Sequence, residues 1–385
     1  GGKCAGLCGD GGHISITTGS LILGNGAQID SGTSSTGRGG DITIHTTNQT
    51  SMAGTLSDGS PVGVFSRTTG ISPDSGAGGN IAITAGQSVM ILDGASVSAS
   101  STRAGDAGNV TVQGLASPAQ SVLIDGPGSG IFTTTEGTGT GGDILIETSQ
   151  STTLTNGAAI SASSTGTMDD AGDAGKVTIH AGNTFFMQDS SVTTQAIKSG
   201  GGQIEINATN LFQLVHSTVS SSVLDGTGGG GDINIDPNLV VLQNNSQILA
   251  QAIQGAGGNI TITTPLFLAD STSLVSASSQ FGLNGTVTIQ NPTSNLSGSV
   301  GTLPSDPSQA QSLLTQRCAA LANGQASSFV VAGREQLPSD PGGWLTSPLY
   351  ATGVGEGQGV RGKGLEGLSA GAAPAIMGIA AYDTD

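Results

Sequence analysis

Aliphatic and polar positions alternate along this chain in one short phrase that returns ten times. Each copy has two small residues, one polar residue, a β-branched aliphatic residue, any residue and a second β-branched aliphatic residue. The first aliphatic residues of the copies are Ile14, Ile42, Ile81, Val110, Ile144, Val177, Ile204, Ile233, Ile260 and Val287. They lie 27 to 39 residues apart, and a repeat of that length is typical of a solenoid.

The copy that starts at Gly257 shows what one coil contains. Ile260 and Ile262 alternate with polar residues, which is the period of two that puts aliphatic side chains on one face of a strand. A second apolar segment follows at residues 266–268 and a third at Leu274, with a turn between them. The pattern predicts an all-β fold: a parallel β-helix of about ten three-strand coils, roughly 50 Å long.

Two kinds of corner residue support this prediction. The paired small residues, mostly glycine, are expected where the chain bends sharply and Cβ atoms would clash. Before the third strand, Asn or Asp is expected to adopt a left-handed backbone conformation and to hydrogen-bond its own turn. These turn residues are Asn25, Asp93, Asn156, Asn244 and Asp270.

Extra sequence in the two longest intervals, and the end of the repeat, define the domain organisation. The segments 50–61 and 114–120 are predicted to be loops that leave the coil. The repeat domain spans residues 1–298. We predict a small C-terminal capping segment over 299–350, because apolar residues there follow helical spacing, and a flexible Gly- and Ala-rich tail over 351–385. The helical positions are Ala310, Leu313, Leu314, Cys318 and Leu321.

Composition and charge narrow the function. Aromatic residues make up only 3%, so the interior must consist of stacked Ile, Val, Leu and Ala. The formal charge of −17 argues against nucleic acid, because phosphate binding needs clustered Lys or Arg. The sequence contains no run of 18 apolar residues and therefore predicts no membrane-spanning helix. Cys4 and Cys8 could close a small loop, whereas Cys318 has no evident partner.

A catalytic site on a parallel β-helix is expected on the outward positions of adjacent stacked strands. The middle column of the first strand is mainly hydroxyl-bearing, with Glu205 as an isolated acid. The flanking columns carry Asp41, Asp143 and Asp232 on one side and Glu147 and Asp236 on the other. Asp232 and Asp236 would be roughly 13 Å apart, too far for an acid–base pair in glycoside hydrolysis. With no basic residue close in sequence to bind a uronate, we predict no catalytic residues.

Metal and cofactor sites are not predicted either. The polar column of the phrase contains Lys176 and only three acids, so a calcium ladder is disfavoured and a polar turn column is expected. A calcium-stabilised solenoid stays a third hypothesis. The histidines are expected to be solvated at the surface. They are His13, His45, His180 and His216.

One outward column is apolar. Alternation in the second strand would point Ile22, Met90, Phe186 and Phe267 away from the interior. Such a strip would be covered by the C-terminal segment or by a partner, although a strand buried on both faces would give the same pattern.

The repeat GGNITI…LxLxNGAxIxA and the segment QRCAALANGQASSFVVAGREQLPSDPGGWLTSPL resemble the C-terminal part of filamentous-haemagglutinin-like exoproteins, of the large cyanobacterial type. The resemblance reaches to about Tyr350, and the stretch from Arg317 to Pro341 is its most specific part. It implies a right-handed helix, export by two-partner secretion through an outer-membrane transporter, and a location at the cell surface or outside the cell. The chain starts at Gly1 without Met, so we expect a C-terminal fragment or a processed product.

Two functions therefore stay in view. The leading hypothesis is a non-enzymatic, adhesin-like structural rod that binds a cell-surface, matrix or polysaccharide ligand, with no cofactor and no metal. The alternative is a polysaccharide-degrading lyase or hydrolase whose site is built from the loops at 50–61 or 114–120.

Overall fold

The structure is a computed structural model that describes residues 9–70, 75–114 and 119–290. Every pairing between its strands is parallel, and the chain winds into a β-solenoid of nine complete coils and the first strand of a tenth. This confirms the predicted all-β fold. The capping segment at 299–350 and the tail at 351–385 lie outside the described residues.

The first strand of each coil begins at the first aliphatic residue of the repeated phrase, and coils are numbered here by these strands. Coils 5, 7 and 8 differ from the prediction, because their first and second strands run on as one strand. The separate first strands are Ile14–Thr18, Ile42–Thr46, Ile81–Ala85, Val110–Gln113, Val177–Ala181, Ile260–Thr263 and Val287–Gln290. The continuous strands are Ile144–Thr155, Ile204–Val215 and Ile233–Gln243.

The second and third strands complete each coil. The separate second strands are Leu21–Leu23, Gln49–Ala53, Ser88–Leu92, Ala119–Asp125, Thr184–Gln188 and Leu266–Ala269. The third strands form a sheet of their own. They are Gln28–Asp30, Gly63–Phe65, Ser96–Ser98, Gly130–Phe132, Ala159–Ser161, Ser191–Thr193, Thr218–Ser220, Gln247–Leu249 and Leu274–Ser276.

The interior is a set of stacked aliphatic columns, as predicted. Ile144 and Ile146 show the pattern of the first strand: both are buried, and each pairs with its equivalent in the next coil. Phe185 and Phe212 are two of the few aromatic residues that point inward, and their rings stack with centroids 5.3 Å apart. Burying such columns stabilises the coil by roughly 1.5–3 kcal/mol for each large aliphatic side chain.

The glycine corner is a point of close stacking between coils. A Cβ atom built on Gly108 would overlap the carbonyl oxygen of Gly79, and one on Gly202 would overlap that of Gly175. Neither Gly108 nor Gly202 has a positive φ. The requirement for glycine is therefore steric: the backbones of successive coils approach too closely for any side chain.

Four of the five predicted turn residues adopt the left-handed conformation, with φ between 53° and 57°. They are Asn25, Asp93, Asn156 and Asn244. Asp270 does not adopt it, so that part of the prediction was wrong there, while its hydrogen bonding to its own turn was predicted correctly. Its carboxylate instead accepts hydrogen bonds from the backbone N–H groups of Thr272 and Ser273, which closes the turn. Asp189 and His216 occupy the same turn position in coils 6 and 7 with positive φ, and the sequence pattern did not single them out.

The two predicted loops are shorter than expected. Thr50 lies in the second strand of coil 2, inside the solenoid, and the insertion there is a small hairpin in which Thr55 and Pro61 form an antiparallel bridge. In the second insertion, Ala119 and Gln120 already belong to the second strand of coil 4. Residues 115–118 lie outside the described part of the chain.

Three of the four residues of the predicted apolar column point outward, in a column that also contains polar residues. Ile22, Met90 and Phe186 share an outward column, and Ile22 is 71% exposed. Phe267 pairs with Val240 in an interior column and is buried, so the prediction for it was wrong. In the described residues no helix has the length and apolarity to cross a lipid bilayer.

Candidate functional site

The polar column of the repeated phrase is a structural ladder. The side-chain oxygen of Asp41 accepts the backbone N–H of Asn80, Asn80 does the same for Asn109, and Asn109 for Asp143, at 2.8–2.9 Å. Asp143 in turn accepts the N–H of Lys176. These side chains satisfy backbone donors between coils, which supports the predicted polar turn column. Within the described residues, no group of three His, Cys, Asp or Glu side chains could hold a metal ion.

A groove of about 510 Å³ lies where the first strand passes into the second, across coils 5 to 8. One outward column supplies its polar wall, because strand pairing places Glu147, His180, Asn207 and Asp236 in successive coils. Its floor is formed by small residues such as Ala181 and by residues of the first-to-second strand connection. We call this feature the corner groove.

A lysine and a glutamate form an ion pair at the edge of the corner groove. Lys176 Nζ lies 2.9 Å from Glu205 Oε2, and Asn207 Nδ2 donates to Glu205 Oε1 at 3.3 Å. The hydrogen bond from Lys176 is the main reason that the pKa of Glu205 is lowered; the charges of Lys176 and His180 and the bond from Asn207 act in the same direction, against a smaller effect of burial. Glu205 is therefore held ionised, and Lys176 is neutralised by it.

His180 stands between two carboxylates. Its Nδ1 lies 3.8 Å from Glu147 Oε1 and its Nε2 lies 3.9 Å from Glu205 Oε1. Both distances exceed those of hydrogen bonds, so in this structure the ring has direct electrostatic contact with the two acids only when it is protonated. His180 is exposed as predicted, but it is not isolated.

Stacking decides what chemistry these groups could perform. Glu147 and Asp236 are three coils apart, roughly 14 Å, which is too far for a pair of glycosidase carboxylates. Asp232 directly precedes the strand that contains Asp236, and the two lie four residues apart, which is too far on the same ground. The sequence interpretation missed a cation here, since Lys176 reaches Glu205 from the neighbouring coil. The groove thus offers a row of hydrogen-bonding groups, and neither of these two pairs of acids has the spacing of glycosidase carboxylates.

A second titratable pair lies in the turn before the third strand. His216 Nδ1 is 2.7 Å from Asp189 Oδ1, and this hydrogen bond is the main reason that the pKa of Asp189 is lowered. The nearby hydroxyls of Ser190 and Ser217 donate to backbone carbonyls of their own turns. The pair therefore lacks the serine–histidine hydrogen bond that a nucleophilic triad requires.

The other predicted histidines and a second cleft complete the inventory. His13 is exposed, whereas His45 is half-buried and its Nδ1 is enclosed without a partner among the described residues, so the prediction of a solvated ring was wrong for His45. A cleft of about 700 Å³ follows the third strands of coils 2 to 5 and contains Arg103, Glu136 and Asp170. No ion pair joins those three residues, in contrast to the corner groove.

The loops of the alternative hypothesis carry little chemistry. The hairpin at 54–62 holds one acid, Asp58, whose pKa is lowered by hydrogen bonds from Ser60. The segment 114–120 contains no ionisable side chain. Neither insertion therefore supplies a pair of acids, and the corner groove replaces them as the best candidate site.

The groove could have been found from the sequence by reading the outward columns down successive coils. The sequence pattern puts Glu147 and Asp236 in one column, and His180 and Asn207 occupy the same column in the two coils between them. Comparison of the chain with protein-family models, with curated proteins and with solved structures found no match. The resemblance to filamentous-haemagglutinin-like exoproteins stays a prediction.

Proposed function

We propose that this chain is a non-catalytic, adhesin-like rod that binds a linear, neutral polysaccharide in the corner groove. The observation that carries the proposal is the column Glu147, His180, Asn207 and Asp236, which presents a polar side chain at every coil step of about 4.8 Å. Such a row can donate to and accept from the hydroxyls of an extended sugar chain lying along the solenoid.

Charge selects the kind of polysaccharide. Three carboxylates, from Glu147, Glu205 and Asp236, lie in or beside the groove, and the single lysine there is already paired with Glu205. An acidic uronate chain would be repelled, because its carboxylates would find no free cation. A neutral chain avoids this repulsion and can use each carboxylate as a hydrogen-bond acceptor.

Binding should be measured by affinity electrophoresis and calorimetry on dextran, galactomannan and xyloglucan, with polygalacturonate and alginate as acidic comparisons. We expect the natural chain to bind at least one neutral polymer. The affinity of Asn207→Ala for that polymer should be lower by about tenfold or more. Gln113→Ala is the matched control, since Gln113 lies in the same column but outside the groove. Binding to no neutral polymer, or equal loss in both variants, would contradict the proposal.

Catalysis by the same groove is the alternative, and one observation favours it: His180 stands within 4 Å of two carboxylates. A histidine ring placed between two carboxylates suits the role of a general acid or base. The same polymers should be incubated with the protein and examined for new reducing ends and for unsaturated products. Sustained turnover that is lost in His180→Ala would replace the adhesin proposal with an enzyme.

We also propose that the rod is exported and works at the cell surface or outside the cell, as part of a longer exoprotein. The support is the resemblance of the repeat and of the segment from Arg317 to Pro341 to haemagglutinin-like exoproteins. An outer-membrane transporter would be its partner during export. The upstream sequence tests this: a leader and a two-partner secretion domain are expected, and a cytoplasmic enzyme domain there would contradict it.

A further inference from the structure

Two adjacent outward columns of the second strands are uncharged along the described solenoid, and the outward column after them contains Asp125. The middle column and the column before it are made of apolar, hydroxyl and amide residues only. The middle column is Ile22, Ser51, Met90, Leu123, Thr153, Phe186, Gln213, Val241 and Leu268. The column before it is Gln49, Ser88, Ser121, Ser151, Thr184, Leu211, Leu239 and Leu266. We call these two columns the lateral face.

The apolar residues of the lateral face concentrate in coils 6 to 9. There, Phe186, Leu211, Leu239, Val241 and Leu266 all point outward and are half-buried, next to Leu268, which is 43% exposed. The same positions in coils 2 to 5 are mostly hydroxyl-bearing. A contiguous outward group of large aliphatic and aromatic side chains is typical of an interaction surface.

We infer that the lateral face binds the lateral face of a second copy of this chain. Charge favours this occupant. The chain carries −17, and its first-strand face bears acids such as Asp143 and Asp232, so two copies repel each other over most of their surface. The lateral face is a surface on which two copies can meet without placing carboxylates opposite one another.

The area of the face is sufficient for a specific but weak dimer. Nine coils give a length of about 43 Å and the outward columns a width of about 14 Å, so each copy would bury roughly 600 Å². Two copies together would bury about 1,200 Å², at the lower end of the range for specific interfaces. The cluster around Phe186 and Val241 would form the apolar core of the contact, and the hydroxyl-bearing positions of coils 2 to 5 its polar part.

Sedimentation velocity over a wide concentration range tests the inference, which does not depend on the proposed glycan binding. We expect a reversible dimer that is unchanged or stronger in high salt, because salt screens the repulsion between the two acidic copies. Phe186→Asp should weaken dimerisation about tenfold or more, and Phe186→Ser by less. Thr178→Asp is the matched control, since Thr178 lies outward in the same coil but on the first-strand face.

Circular dichroism and thermal melting check that each variant keeps the fold. If Phe186→Asp does not fold, Phe186→Ser replaces it in the test. A monomer at every concentration overturns the inference, whether the face is then covered by another part of the chain or left to solvent. Equal dissociation by Thr178→Asp, or a dimer that dissociates in high salt, overturns it as well.

Discussion

Coils 3 to 5 and coils 6 to 8 fill the same interior corner, which follows the third strand, with opposite chemistry. In coils 3 to 5 the hydroxyls at this position are buried without a hydrogen-bond partner in the described part of the chain; they belong to Ser101, Thr135 and Ser164. In coils 6 to 8 the position is apolar, with Ala196, Val223 and Ala252. The backbone bridges nevertheless continue from Ser101 to Val223 without a break.

This difference separates what the solenoid requires from what it tolerates. Hydrogen bonding between stacked backbones sets the path of each coil, and it is the same on both sides of the change. The chemistry of an interior column is free to vary as long as the side chain stays small enough, although an unpaired buried hydroxyl costs about 1–3 kcal/mol. The lateral face changes in the same direction, from hydroxyl-bearing in the early coils to apolar in the later ones.

The largest effect should come from a feature that both groups of coils share. Gly108→Ala and Gly202→Ala would each place a Cβ against a carbonyl oxygen of the preceding coil. We expect each to lower the free energy of unfolding by about 3 kcal/mol or more, measured by urea denaturation. Gly12→Ala is the control, because no described atom lies within 4 Å of its Cβ. If either variant behaves like the control, close stacking does not explain the glycine corner.

A reciprocal exchange of isosteric residues tests the comparison itself. Val223→Thr introduces an unpaired hydroxyl into the apolar group and should cost about 1–2 kcal/mol. Thr135→Val removes one from the other group and should raise the free energy of unfolding by up to about 1 kcal/mol. Urea denaturation of both variants measures the two values. A loss of stability in Thr135→Val would mean that this hydroxyl has a partner, such as a bridging water.

The smallest effect concerns the turn of coil 9. There Asp270 does not take the left-handed conformation found at this position in earlier coils, and hydrogen bonds to its carboxylate close the turn. Hydrogen bonds, first from the Ser273 hydroxyl and next from the Asn244 backbone, lower the pKa of Asp270 from 3.8 to about 2. A carboxyl group whose pKa is lowered by folding stabilises the folded state at pH values above the pKa it has in the unfolded chain. This stability is lost as the pH falls through the pKa of the folded state. The melting temperature of Asp270→Asn should therefore be lower than that of the natural chain at neutral pH.

The difference between these two proteins should shrink as the pH falls from 3.8 towards 2. Ser273→Ala, which removes the strongest donor, should show part of the same loss. A difference that does not change with pH would mean that Asp270 acts through its shape and not through its charge.

The coil and its interior columns could be predicted from the sequence because strand alternation is a local signal. Ile260 and Ile262 have polar neighbours, so only one face can be the buried one. The signal fails in uninterrupted apolar runs such as Leu266, Phe267 and Leu268, where alternation fits either register. There, pairing with Val240 of the preceding coil decides that Phe267 points inward.

The candidate site was harder to predict for a related reason. Repeat alignment gives the columns, and Glu147 and Asp236 were assigned correctly to one of them. It does not show how far a side chain reaches into the next column and the next coil. Lys176 and Glu205 are 29 residues apart, and their ion pair exists because the lysine spans both steps.

The ladder at the start of the first strands has a direction. Each side-chain oxygen of the ladder, from Asp41 through Asp143 and again from Asp232 to Asn259, receives an N–H from the coil that comes later in the chain. Within the ladder, each coil therefore presents oriented acceptors to the coil that follows it. The turn before the third strand has the opposite direction, because Asp270 and Ser217 accept N–H groups from the preceding coil. A chain that emerges amino-terminus first would meet the acceptors of the ladder already in place, whereas the acceptors of the turn arrive only with the following coil.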